Sequence, residues 1–325
     1  MQTRPTISWG IAKAVAGLLE GQPPATTRPQ AAQAVASLRL AARRAGHLAL
    51  EASHLGGLPA INIKITDRES WGDSAHVMIE ELLDRFEWGE GSHRLSSKVK
   101  GLGNGLAGGF LLAFMQRNLL GQYDPFSRPA TLYLLAPNIV ENERVRGLDP
   151  EDFRLWVSVH EQTHAVQFSA APWLRDYLLE RLLFLAEDDS GILETLRSLT
   201  AHRDLESGNN KPSIRAALGE IIGVMTFLEG HADHIAEEVG RVHIPTWAAL
   251  RRSFARSRVS AGPMKWLPIL NKNAQYRDGL RFCRKVSNRV GTGGLALVFD
   301  GPSALPTRRE IAEPAAWLRR VHGAA

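Results

Sequence analysis

The chain has 325 residues, 44% hydrophobic and 22% charged, with a single cysteine. Length and mix suit a soluble globular protein with a sizeable core. The lone Cys283 excludes a disulfide scaffold and a four-cysteine zinc site, so any metal must be held by His and carboxylates.

Most of the chain reads as helix. Ala and Leu recur at helical spacing over residues 31–55. Residues 74–86 and 105–120 predict two more helices, the second rich in Gly and Ala and so suited to close backbone packing. The clear strand is 131–136, followed by a turn signal at Pro137 and Asn138. A marked helix start comes next: Asp149 as N-cap, Pro150 at the first helical position, and Glu151 and Asp152 in the first turn. This helix should run to about Ala171, before Pro172.

Residues 173–185 and 192–199 are predicted helical, and 207–212 form a loop by composition. Ser213 can cap a long helix over 214–239 that stops at Gly240. Residues 246–257 and 273–289 complete the helices, and Gly291–Gly294 reads as a loop. Thr307 and Glu310 have capping-box spacing before a short final segment. The expected architecture is mainly α with a small β-sheet. It forms a single unit over 1–325, in which 1–125 is an N-terminal helical region and 126–325 carries the metal site.

The net charge of +5 is unevenly placed. Residues 1–60 carry +4, residues 61–240 carry −11, and residues 241–325 carry +12. The first 20 residues contain Trp9, Lys13 and Glu20 and no unbroken apolar stretch, unlike a secretory leader. The longest apolar run, 102–115, is interrupted by Asn104 and four glycines, and is short of the ~20 residues a membrane span needs. A cytoplasmic protein without a membrane span is the expectation.

The helix behind Asp149 contains His160-Glu161-Gln162-Thr163-His164. Residues four apart on a helix lie ~40° apart around the axis and ~6 Å along it, so both imidazoles can close on one ion. Glu161 lies beside them and can act as general base on a water at the metal. This is the HExxH arrangement of zinc peptidases. A catalytic zinc usually takes three protein ligands. The metzincin pattern would require Gly and a further ligand where Gln167 and Ala170 stand, which excludes that class.

Glu229 and Asp233, four apart in the long helix, form an ExxxD pair on one face. HExxH followed by ExxxD is the gluzincin arrangement. Glu229 becomes the third ligand and Asp233 an acceptor for the outer N–H of a ligating His. His231, His234 and Asp233 are the rivals to Glu229; His231 and His234 point about 160° and 140° away from it.

Three segments carry a family resemblance: Ser158–Phe168, Pro172–Arg175 and Phe227–His234. Together with Arg68, Trp71, Lys272, Gln275, Tyr276, Leu305–Thr307 and Trp317, they resemble bacterial zincin-like hydrolases of uncharacterised function. Those proteins are often labelled as associated with biosynthesis of a deazaflavin cofactor. The resemblance implies a zincin-like fold with a metal site at His160, Glu161 and His164, but no particular substrate.

The leading function is therefore a zinc-dependent hydrolase acting on a peptide or amide bond. Tyr276, Arg277, His243 and His234 are candidates by residue type for stabilising an oxyanion. A second reading is nucleic-acid association through residues 251–289, with 11 Arg or Lys against one Asp. The bland account of those charges is packing against the acidic middle. A third reading is a zinc-stabilised scaffold without turnover. Residues 101–109 lack the preceding strand and Lys-Ser/Thr ending of a phosphate loop, and Cys283 reads as a buried inert thiol.

Overall fold

The structure, a computed structural model, describes residues 7–19, 21–85, 95–186, 212–256 and 272–323. It is mainly helical with one small sheet, as the sequence predicts. Two compact units are formed, one from residues 1–44 and 60–161, the other from 45–59 and 162–325. The predicted helix at 192–199 and most of the predicted loop at 207–212 lie outside the described residues. No helix among the described residues is long and apolar enough to cross a membrane.

The first unit begins with α1 (Trp9–Leu19) and with α2 (Arg28–Ser53) as far as Arg44, the rest of α2 belonging to the second unit; β1 (Ile63–Thr66) and α3 (Arg68–Leu83) follow. After α4 (Leu95–Asn118) come β2 (Gly121–Asp124), β3 (Thr131–Leu135) and α5 (Ala136–Arg146). β3 is central and buried along its whole length, parallel to β1 and antiparallel to β2. Two glycines of α4, Gly105 and Gly109, do the packing expected of them, while Gly108 faces open space. A Cβ on Gly105 would stand 2.8 Å from the Ser8 carbonyl oxygen, and one on Gly109 would stand 2.8 Å from that of Ala12.

Helix α3 starts at Arg68, six residues before the apolar period suggests, because Asp67 caps it: its Oδ1 accepts from the Ser70 N–H at 2.7 Å. The turn expected at Pro137 and Asn138 is instead the first turn of α5, where a proline without N–H costs nothing. Asn138 is buried there as a junction. Its amide donates to the carbonyls of Gln116 and Leu119, and its oxygen accepts from Arg68 Nε at 2.7 Å.

Helix α6 (Pro150–Ala170) runs from the first unit into the second, the division falling between Glu161 and Gln162. The second unit continues with α7 (Trp173–Ala186), α8 (Pro212–His243), α9 (Trp247–Arg256) and α10 (Lys272–Ala296). Two 3-10 turns lead to α11 (Arg308–Ala312) and α12 (Pro314–His322). Its core gathers Phe227, Phe282, Phe299 and Trp317.

Helix α8 neither begins after a Ser213 cap nor stops at Gly240. It starts at Pro212 and runs on to His243, with Gly240 packed beneath the Trp247 side chain. Inside α10, Gly291 adopts φ 76° and breaks the helix where the sequence predicts a loop. Thr307 and Glu310 form the predicted capping box.

Helices α8 and α10 meet backbone to backbone. A Cβ on Gly230 would lie 2.1 Å from the Gly279 carbonyl carbon, and one on Gly279 would lie 2.0 Å from the Thr226 oxygen. Only glycine at both positions permits that approach, and it holds α8 at the turn carrying Glu229 and His231.

Candidate metal centre

Helix α6 is secured at its start as predicted, with the Asp149 carboxylate accepting from the Glu151 and Asp152 N–H groups at 3.0 Å each. A buried bidentate pair, Arg154 with Glu143 at 2.7 and 2.8 Å, ties it to α5. From there the helix is continuous to Ala170, so His160 and His164 stand one turn apart on one face.

His160, His164 and Glu229 each offer one ligand atom, and these atoms lie within 4.8 Å of one another. His164 Nε2 is 3.8 Å from Glu229 Oε2. Two zinc ligands at ~2.0–2.1 Å and a tetrahedral angle are separated by ~3.4 Å, so the spacing suits that ion with a small contraction. Two imidazoles and one carboxylate are also the donor set of a three-ligand catalytic zinc site.

Glu161 is almost fully buried, and its carboxylate rests against Gly121 of β2. Asp233 sits one turn beyond Glu229 on α8 and is half-buried. Burial, with the charge of Asp233 second, pushes the Cys283 thiol well up, so this cysteine is the inert one expected.

The outer nitrogen of His164 has a partner that the motif spacing does not name. His164 Nδ1 is 2.9 Å from Oε1 of Gln167, which is fully buried. The Gln167 amide nitrogen reaches the Leu228 carbonyl and His231 Nδ1, each at 3.0 Å. His231 is thus occupied away from the ligand cluster. Its ring packs on Phe227 and Phe299 at centroid distances of 5.7 and 5.3 Å. Burial first, then the charges of His234 and His164, lowers its pKa to about 3, so the ring is neutral. His234 is also buried, and desolvation depresses its pKa despite the nearby Glu238 and Glu237.

Of the oxyanion candidates, His243 is exposed in the last turn of α8 and Arg277 is exposed on α10. The side chain of Tyr276 lies outside the described residues. Two site neighbours were not singled out as such by sequence reasoning. Gln167 carried a faint signal, being three residues past His164 and so on the same helical face. Gly121 carried none.

Part of the basic segment is engaged internally. Arg251 Nε and Arg284 Nε reach the buried Glu237 carboxylate of α8 at 3.0 and 2.9 Å. The acidic middle and the basic end thus meet at Glu237.

A family model for zincin-like metallopeptidases matches residues 7–318. A crystal structure from Chloroflexus aurantiacus, described as a presumed hydrolase with a novel fold, is 26% identical. It aligns with a TM-score of 0.72 over 98% of this chain and 100% of its own. The curated proteins include no significant match. Neither similarity carries a link to deazaflavin biosynthesis.

Proposed function

The chain belongs to the zincin-like metallopeptidase family, and from that premise we propose that it hydrolyses a peptide or amide bond using zinc held by His160, His164 and Glu229. The observation carrying this reading is the convergence of those three donors beside a buried Glu161. Zinc bound there supplies a Lewis acid for the scissile carbonyl and lowers the pKa of water toward 7. Glu161 takes the proton of the attacking water and delivers it to the leaving nitrogen. Asp233, one turn beyond Glu229 on α8, is assigned the acceptor role for the outer N–H of a ligating His.

A peptide suits the neighbouring strand. β2 is an edge strand, and the Leu135 N–H donates to the Leu120 carbonyl at 2.9 Å. That register turns the backbone groups of Gly121 and Tyr123 away from β3. An extended peptide joined to this edge would run beside Glu161.

Metal analysis and a peptide-library digest of wild type, Glu161→Gln, His164→Ala and Glu229→Ala test the reading. Glu161→Gln should retain stoichiometric zinc and lose hydrolysis, while the two ligand variants lose zinc. Wild-type activity in Glu161→Gln, or full zinc in Glu229→Ala, would overturn the assigned roles.

A further inference from the structure

The contacts of Gln167 fix which way its amide faces. A backbone carbonyl can only accept, so the group 3.0 Å from Leu228 O must be the amide NH2. Gln167 is fully buried, and no exposed alternative competes for its polar atoms. The amide oxygen therefore faces His164 Nδ1, and the second N–H faces His231 Nδ1.

Two tautomers follow from that orientation. His164 must carry its proton on Nδ1 to donate to the amide oxygen, which leaves the Nε2 lone pair directed at the ligand cluster. His231 must accept at Nδ1 and so carries its proton on Nε2. The opposite amide orientation would set oxygen against oxygen at Leu228. It would also force the His164 proton onto Nε2, where a metal could not bind.

We propose that Gln167 is the positioning residue of the metal centre, holding His164 in its ligating tautomer, with the Leu228 carbonyl and His231 as the anchors that orient the Gln167 amide. The proposal rests on His164 being a metal ligand, as proposed above. It gives His231 a role as a fixed acceptor behind the site, and it ties His164 on α6 to the turn of α8 that presents Glu229. Carboxylates commonly serve as the outer partner of a ligating His; here a neutral amide does so. A neutral partner adds no buried charge, and its two N–H groups anchor it to the next helix.

Two-bond proton–nitrogen correlation spectra of the metal-free protein with 15N-histidine read the tautomers directly. Measured at pH 8, they are assigned through His164→Gln and His231→Gln. We expect His164 protonated at Nδ1 and His231 at Nε2. Zinc competition against a chelator is the second readout. Gln167→Met should raise the zinc dissociation constant ~10–100-fold. Gln167→Glu, which retains an acceptor toward His164, should bind more tightly than Gln167→Met and move the His231 proton to Nδ1.

A wild-type protein that binds zinc but shows His164 protonated at Nε2 overturns the proposal alone. So does unchanged zinc affinity in Gln167→Met. A wild-type protein that binds no zinc overturns the metal-site reading and this proposal with it. Should Gln167→Met fail to fold, the wild-type tautomers decide the matter.

Discussion

Gly121 on β2 and Glu161 on α6 are packed so closely that the missing Cβ of the glycine is what seats the carboxylate. A Cβ on Gly121 would stand 2.6 Å from Glu161 Cγ, 2.8 Å from Cδ and 3.0 Å from Oε1. These distances are below ordinary van der Waals contact, yet Glu161 is a flexible side chain that can turn aside.

Gly121→Ala should consequently damage catalysis more than folding. The added methyl displaces the Glu161 carboxylate by the order of an ångström, which can reduce turnover by ~100-fold. Zinc content should remain stoichiometric and the melting temperature close to wild type. Steady-state kinetics beside metal analysis check this, and undiminished turnover would show that Glu161 does not act from this position.

The two kinds of glycine in α8 should respond oppositely to alanine. At Gly230 the new Cβ meets the Gly279 backbone at 2.1 Å, and backbone cannot rotate away. Gly230→Ala should destabilise by about 1–3 kcal/mol or more. Gly219 faces open space, with no atom within 4 Å of such a Cβ. Gly219→Ala should stabilise the helix by about 0.5–1 kcal/mol. Urea-denaturation midpoints compare the pair within one helix.

Glu310 gives an acid-sensitive contribution at the start of α11. Burial works to raise its carboxyl pKa. The bonds from Arg320 and from the Thr307 backbone and hydroxyl together outweigh that, holding it below the ordinary 4.5. A depressed folded-state pKa means the stabilisation is complete above the ordinary value and is lost as pH falls through the lowered one. The stability gap between wild type and Glu310→Gln should therefore be widest at neutral pH and close on acidification. At neutral pH, Thr307→Ala should cost ~1 kcal/mol through the lost cap. A constant gap across the acid range would exclude this linkage.

Features carried by neighbouring residues were legible in the chain. Asp149 and Pro150 announce α6, and Thr307 with Glu310 announces α11, because caps involve groups three residues apart or fewer. The first turn of α5 was misread, since Pro137 and Asn138 serve a turn and a helix start equally well. What decides between them is Asn138 accepting from Arg68 Nε, 70 positions away. Gly240 looks like a helix stop for the same reason, until Trp247 is found packed over it.

The candidate metal centre divides in the same way. His160 and His164 are brought together by helical pitch alone, so the sequence by itself determined that pair and placed Glu161 beside it. Composition ruled out cysteine ligands, and spacing nominated Glu229 over three acidic or imidazole rivals. Only the tertiary structure decided that Glu229 meets the two histidines while His231 turns to Gln167. It alone revealed that a glycine 40 positions before Glu161 leaves room for its carboxylate. The contact of Gly121 depends on how β2 packs on α6, and those of Glu229 and His231 on how α8 docks on its neighbours. That docking is set by many side chains at once, including the glycine crossing of α8 with α10, and no local period or motif encodes it.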